Sequence, residues 1–263
     1  MKTIDFQRKT GVPSFTAIEY NQKQSDYVLL IPIINEGSRI IEELNIAKNN
    51  NVSEIVDIVI CDGGSNDGSV DKLDKSYINS LLIMKDSGKQ GSQLRMGMWW
   101  AQNRGYKGII TIDGNNKDSI EDVHLFVDKL NNGYDYVQGS RFVKGGEAIN
   151  TPLSRLVAIK LIHAPIISIT ARHHFTDTTN NFRGYSSNYL FDSRVNIFRE
   201  CFIGYELIAF LSTRASQLGY RVCEIPVKRR YPRKVKLPTK ISPIKGNFNL
   251  IKILFNNLIG KYN

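Results

Sequence analysis

Cysteine is scarce in this chain: Cys61, Cys201 and Cys223 are the three present, and they lie far apart. An odd number without metal-ligand spacing excludes a disulfide framework and a thiolate metal centre, and fits a reducing compartment. Long apolar runs are missing as well. No segment reaches the roughly 18 uninterrupted apolar residues of a bilayer span. The longest such stretch, 156–171, is broken by Lys160, His163 and Pro165 and is expected as a buried or interfacial helix. Residues 1–26 are polar and mixed, so no signal peptide is expected there. Acids are missing at one end. From Arg221 to Asn263 eleven Lys/Arg stand against one acid, Glu224. A basic concentration of this kind usually meets phosphate, whether on a nucleic acid, an anionic membrane or a small diphosphate.

What is present describes a globular chain. Its 263 residues are 41% apolar and 23% charged with a net charge of +10, enough for one large core and too apolar for disorder. "YVLLIPII" (27–34) is a continuous apolar run, as expected of a strand buried on both faces. Helical spacing follows at 38–50 with Ser38 as N-cap, and a second strand over 54–69 enters a Gly/Asp/Asn/Ser turn. Further strands are expected at 80–84, 108–113 and 134–142, with helices at 91–105 and 119–133. Alternation of this kind predicts an α/β layer fold with a largely parallel sheet, whose ligand sits at the carboxyl ends of the strands. After residue 150 the pattern changes. A long helix is expected at about 152–173, another at 205–220, a strand at 221–227, a basic loop at 228–240 and an amphipathic helix at 247–260.

The strand ends carry the chemistry. In order they read "LLIPIINEG", "CDGGSNDGS", "DSGKQGSQLRMG", "TIDGNNKDSIED", "VQGSRFVKGG", "FTDTTNNFRGYS" and "GYRVCEIPVKRRYP". Together they resemble the motifs of family 2 glycosyltransferases with a GT-A fold, and most of all the dolichyl- and polyprenyl-phosphate sugar synthases. The resemblance runs from about residue 27 to about 245. It implies a Rossmann-like, mostly parallel central sheet flanked by helices, and an inverting transfer of a sugar from a nucleotide diphosphate sugar. Two positions depart from the family pattern: Gly63 stands where a second Asp is usual, and Asn115 stands where the second acid of Asp-x-Asp is usual. Lys117 lies near a further metal ligand of the polyprenyl-phosphate branch and cannot bind a cation.

The nucleotide is expected on Pro32, Asn35, Glu36, Asp62 and Gly64, with Lys89 and Arg95 as phosphate candidates. Asp62 and Glu36 can accept hydrogen bonds from a base or ribose, and Gly64 lets backbone approach the ligand. Asp113 and Asn115 are the candidate ligands of Mg²⁺ or Mn²⁺, which take oxygen donors and often use one or two carboxylates plus phosphate and water. Arg141, Arg155, Arg183, Arg229, Arg230 and Lys240 are the candidate acceptor-phosphate residues, since guanidinium forks match phosphate geometry. A phosphate acceptor needs no general base; a glycan hydroxyl would need one, with Asp177 and Glu206 as candidates. Asp177 could instead orient Arg183 as a buried structural pair.

The organisation expected is one domain over 27–245, with a nucleotide-binding half at about 27–117 and an acceptor half at about 118–245. An N-terminal extension (1–26) precedes it and a C-terminal amphipathic helix (246–263) follows. The preferred acceptor is a polyprenyl phosphate or other lipid-linked acceptor in cell-surface glycan synthesis, reached from the cytoplasm or from a peripheral position on the inner face of the membrane. The rival from another class is a non-catalytic sugar-nucleotide-binding or membrane-surface module, motivated by Gly63 and Asn115. Nucleic acid is not an expected partner, because charge alone points to it and no recognition motif does.

Overall fold

Residues 1–26, expected as an extension, contribute two strands to the central sheet. The computed structural model describes residues 1–232 and 245–263. β1 (Lys2–Phe6) pairs antiparallel with β2 (Phe15–Glu19), and β2 pairs antiparallel with β5 (Ser80–Met84). Phe15 and Ala17 are fully buried on one face of β2, while Thr16 and Ile18 are only partly covered. That single alternation over five residues is too short to stand out in a polar segment.

β3 (Tyr27–Ile33) is the central strand, and all but its first residue is buried. β4 (Asp57–Asp62) and β6 (Gly108–Thr111) flank it in parallel, and β5 continues the parallel set beyond β4. β7 (Tyr136–Ser140), β9 (Arg183–Ser186) and β10 (Val222–Pro226) complete a nine-stranded sheet of order β1-β2-β5-β4-β3-β6-β9-β7-β10. Its four middle strands, β5, β4, β3 and β6, run parallel; β9 is antiparallel to both β6 and β7. The chain leaves β3 toward β4 on one side and reaches β6 on the other, so a crevice opens at the carboxyl end of β3. A small second sheet pairs β8 (Glu147–Ile149) with β11 (Lys228–Arg230).

Strand alternation divides the core in two. Leu29, Ile31 and Ile33 of β3 pack with Ile40 and Leu44 of α1 (Ser38–Asn49) and Phe126 of α3 (Val123–Asn131). Val28 and Leu30 pack on the other face with Leu94 and Met98 of α2 (Gln90–Gln102). Ser38 is the first helical residue of α1 rather than its cap; Gly37, at φ 60°, takes the cap position.

The long helix after residue 150 is α4 (Leu153–Ala158), a π-helical turn Ile159–His163, and α5 (Ala164–Ala171). Pro165 supplies no backbone N–H, and the wider turn just before it is where that missing bond is absorbed. Leu153–Ala171 is a helix of 19 residues, long and apolar enough to cross a membrane by length and composition. A short α6 (Ser187–Leu190) follows β9, and α7 (Glu206–Gln217) packs on α5 and on α8 (Lys245–Leu258). Asn257 of α8 ties the two together, donating to Ala209 O at 3.0 Å and Thr213 Oγ1 at 3.1 Å.

Candidate active site

Two turns at the carboxyl ends of β3 and β4 are laced together. Asn35, at φ 49°, donates its N–H to Ser65 Oγ (2.9 Å) and accepts from Asn66 N on its Oδ1 (2.8 Å). Asp62 is buried and folds its own turn, accepting from Ser65 Oγ (2.5 Å), Ser65 N (3.1 Å) and Gly64 N (3.2 Å). Gly64 sits at φ 90°, which a side chain would strain. Glu36 is held by Arg39 at 2.7 Å. Pro32 is buried within β3 opposite Cys61. Gly63 has a concrete cause. A Cβ there would lie 2.8 Å from Gln93 Nε2, which donates to Ile33 O (2.5 Å) and Cys61 O (3.0 Å). Gln93 cross-links the two strand ends from the side where an acid at 63 would begin.

Asp113 stands just past β6, at the mouth of the same crevice. Gln90, in the first turn of α2, donates to its Oδ1 at 2.7 Å, and Arg229 Nη2 lies 3.4 Å from its Oδ2. Asn115 Nδ2 is 3.5 Å from the same Oδ2, and Asn115 Oδ1 is buried without a hydrogen-bond partner. A half-turn of that amide would place an oxygen beside the carboxylate. Asp113 and Asn115 therefore fit a divalent cation as a two-oxygen site completed by phosphate and water. No group of three or more His, Cys, Asp or Glu fit for a metal occurs among the described residues. The loop is propped from below. Asn116, at φ 54°, donates its N–H to Glu43 (2.9 Å) and its side chain to Glu42 (3.1 Å).

Beside Asp113 lies a cluster of cations around Tyr231. Lys117 Nζ is 5.5 Å from the Tyr231 ring centroid, the Arg155 guanidinium 5.5 Å and the Arg229 guanidinium 5.8 Å. Burial works against the neutral-to-anion change of Tyr231, yet the charges of Arg229, Arg155 and Arg141 outweigh it and pull its hydroxyl pKa down. Arg229 is buried and bridges two acids, Asp113 and Asp118. Burial alone would disfavour its charge, but those two carboxylates hold it firmly protonated. Strand alternation splits the Arg pair of β11: Arg229 points in and Arg230 is exposed, its backbone N–H bound to Lys117 O at 2.7 Å. Lys240, with the rest of 233–244, lies outside the described residues.

The structure reassigns several expected residues. Asp177 pairs with Arg141, not Arg183, through Oδ2–Nε at 2.6 Å and Oδ1–Nη2 at 2.8 Å. It also accepts from Thr179, Asn180 and the Arg141 backbone, so neither oxygen is left to take a proton from an acceptor. Burial raises its carboxyl pKa, but the hydrogen bonds and charge of Arg141 outweigh that and hold it below the ordinary range. Arg183 is fully buried and serves the scaffold, donating to Asn180 O, Thr178 O, Ile208 O and Ser212 Oγ at 2.8–3.0 Å. Arg95, also buried, ties α2 to Phe202 O (3.1 Å) and Gly11 O. Neither can reach a phosphate. Lys89 is exposed at the cap position of α2, near Gly204. Glu206 is half-buried at the start of α7 and accepts from Gly204 N at 2.6 Å.

Pattern reading missed Gln90, Asp118, Tyr205, Tyr231 and Glu43. Tyr205 sits within the field of Asp113, and burial followed by that charge pushes its pKa up to about 12. Glu43 looked like any helix acid in 38–50, yet it is fully buried under the Asp113 loop with Oε1 unpartnered. Burial raises its carboxyl pKa well above the ordinary value. A raised acid binds its proton in the native state while the unfolded chain has lost it. Stability therefore falls as pH rises from the unfolded pKa toward the folded one. Glu43→Gln should melt higher than the parent at about pH 8, with the gap closing toward about pH 4.5. Thermal unfolding at the two pH values checks this, and an equal or larger gap at the acid end would refute the burial account.

Comparison with known proteins gives the class. The model of the family described as "Glycosyl transferase family 2" matches residues 28–199, and the chain belongs to that family. It is a glycosyltransferase. The chain is similar to the polyprenol monophosphomannose synthase of Mycolicibacterium smegmatis, 26% identical over 207 residues covering 76% of each chain. It is also 30% identical over 138 residues to the dolichyl-phosphate hexose transferase of Haloferax volcanii, covering 52% of this chain and 55% of that one. Both relatives are named for the polyprenyl-phosphate branch. In structure it is similar to glucosyl-3-phosphoglycerate synthase from Mycobacterium tuberculosis in complex with Mn²⁺, UDP and phosphoglyceric acid. That match has a TM-score of 0.62 at 13% identity and covers 90% of this chain and 78% of that one. The fold is GT-A.

Proposed function

We propose that this protein is an inverting enzyme that moves a sugar from a nucleotide diphosphate sugar to a lipid-linked phosphate at a membrane surface. One observation carries the acceptor class. The cation cluster opens where the Leu153–Ala171 helix begins, and that helix presents an apolar face to solvent. Arg155 reaches the Tyr231 cluster from the first turn of the helix, while Leu153, Val157 and Leu161, four residues apart on one face, are exposed, Leu153 at 75% and Leu161 at 72%. Ile169 and, on the adjoining α8, Phe248, Ile251, Phe255 and Leu258, with Ile259 just past its end, are exposed apolar residues as well. From Ile225 to Asn263 the sequence has ten Lys/Arg and no acid. Apolar helix faces with basic flanks suit an anionic leaflet.

In this reading the nucleotide lies over the Asn35–Asp62 turns and its diphosphate reaches Asp113. A divalent ion held by Asp113 and Asn115 would supply positive charge to the departing diphosphate. Gln90 orients the Asp113 carboxylate, and Arg155 draws the acceptor phosphate toward C1. The C1–oxygen bond to the diphosphate breaks as an acceptor phosphate oxygen bonds to C1 from the opposite face. The acceptor is already an anion near neutral pH, so no side chain need take a proton. A hydroxyl acceptor would instead call on Glu206, beside Tyr205 at the edge of the site.

The test is incubation of the full chain with labelled UDP-, GDP- and dTDP-sugars and either polyprenyl phosphate or the matching polyprenol. Label should enter the organic phase with the phosphate and not with the alcohol. Transfer only to a glycan hydroxyl, lost in Glu206→Gln, would replace this reading with the hydroxyl one. Surface docking has its own check. Full-length protein should float with phosphatidylglycerol-rich vesicles, and Leu161→Glu with Phe255→Glu should reduce the bound fraction at least about fivefold. Equal flotation of the double variant would remove these helices from the membrane contact.

A further inference from the structure

Three cations crowd one tyrosine ring, and their partners differ. Arg229 is shared by Asp113 and Asp118, and the neighbouring Arg141 is matched by Asp177. Lys117 has no ion pair among the described residues, although it is half-buried and lies 5.5 Å from the Tyr231 centroid with Arg229 on the same ring. An ammonium held near a guanidinium and away from bulk water is unfavourable unless an anion completes the arrangement. Asp113 acts on Lys117 from a distance, but among the described residues no carboxylate pairs with it.

Placement tells which anion it awaits. Lys117 belongs to the same loop as Asp113 and Asn115, and that loop is fixed at both sides of it. Asn116 is tied to Glu42 and Glu43, and Lys117 O accepts from Arg230 N at 2.7 Å. Asp113 is near enough to act on the Lys117 charge. An anion at the Asp113 end of the loop would therefore lie within the field of this ammonium. The metal donor set there is thin: one carboxylate, already shared with Arg229, and one amide oxygen.

We infer that Lys117 binds the donor diphosphate directly and carries charge that a divalent ion would otherwise carry alone, so that nucleoside diphosphate binds this protein with metal removed. The inference rests on the reading of the Asp113 loop as the donor site. No bond is made or broken by Lys117; it pairs with a leaving group as a point charge.

The test is calorimetric titration of UDP and GDP into the full chain, with Mn²⁺ or with EDTA, for the parent, Lys117→Met and Lys117→Arg. The parent should bind its preferred nucleotide in EDTA within about tenfold of its affinity with Mn²⁺. Lys117→Met should lose at least about tenfold in EDTA and less in Mn²⁺, where the ion compensates, and Lys117→Arg should restore most of the EDTA binding. Binding by the parent only with Mn²⁺ would overturn the inference and leave the donor site standing. Equal affinity of Lys117→Met and the parent in EDTA would also overturn it. No nucleotide binding under either condition would overturn the donor-site reading along with it.

Discussion

Asp113→Asn should lower turnover by about two to three orders of magnitude while leaving the melting temperature within a few degrees, the loss typical of removing one electrostatic group at a reacting centre. Asparagine keeps the shape at the end of β6 and can still accept from Gln90, so the backbone has no reason to move. What disappears is the carboxylate at the end of β6; its neighbour Asp118 is buried on Arg229 and cannot replace it. Asp113 has 19% of its side chain exposed, enough to meet a ligand and too little to be an idle surface acid. Steady-state kinetics with whichever nucleotide sugar of the panel is turned over, beside a thermal melt, measures both halves. Activity within about fivefold of the parent would show that the diphosphate lies elsewhere, since even one lost hydrogen bond to a charged group usually costs more.

The largest effect on stability is expected at Arg141, and it separates scaffold from site. Arg141 and Asp177 are essentially inaccessible, with side chains 1% and 0% exposed. Arg141→Leu leaves Asp177 charged, buried and short of the two hydrogen bonds from the Arg141 side chain, while the one from its backbone N–H remains. Loss of one member of such a pair costs about 3–5 kcal/mol. The double variant Arg141→Leu with Asp177→Leu should unfold at a higher denaturant midpoint than the single variant, because no unpaired charge remains. A single variant within about 1 kcal/mol of the parent would mean that the pair contributes nothing beyond its bulk. Arg141 Nη1 is buried with no partner. A guanidinium with its Nε/Nη2 edge held by Asp177 is a rigid backing for the cation cluster in front of it.

The core of the fold was legible because its strands are unusually plain. β3, β4 and β6 are continuous apolar runs that end in polar turns, and the crevice lies at those ends. The long alternation of strand and helix gave the topology around it. β1 and β2 were not legible: five residues with two buried positions do not rise above a polar background. The donor-binding candidates were read from acids and glycines in turns, and the structure puts Asn35, Asp62, Asp113 and Asn115 at the carboxyl ends of β3, β4 and β6. The arginines were harder. Arg141, Arg155, Arg183 and Arg229 are the same residue type in similar basic or polar contexts, yet one is wholly scaffold, two are locked to acids and one enters from a helix. Which carbonyl or carboxylate meets a guanidinium is decided by tertiary packing, and no local spacing encodes it. Glu43 was not singled out for the same reason: it stands in a helical segment like other acids, and its burial is decided by the Asn116 loop above it.

The most direct measurement is the structure of the product. Phosphorus and proton NMR of the lipid product, formed from a donor of known anomeric configuration, reports the new bond and the stereochemistry together. A sugar joined through C1 to the lipid phosphate as a diester, with the anomeric configuration opposite to the donor's, is the expected result. A lipid phosphate left as a monoester, or a product that retains the donor's configuration, would contradict direct attack by the acceptor phosphate at the Asp113 site.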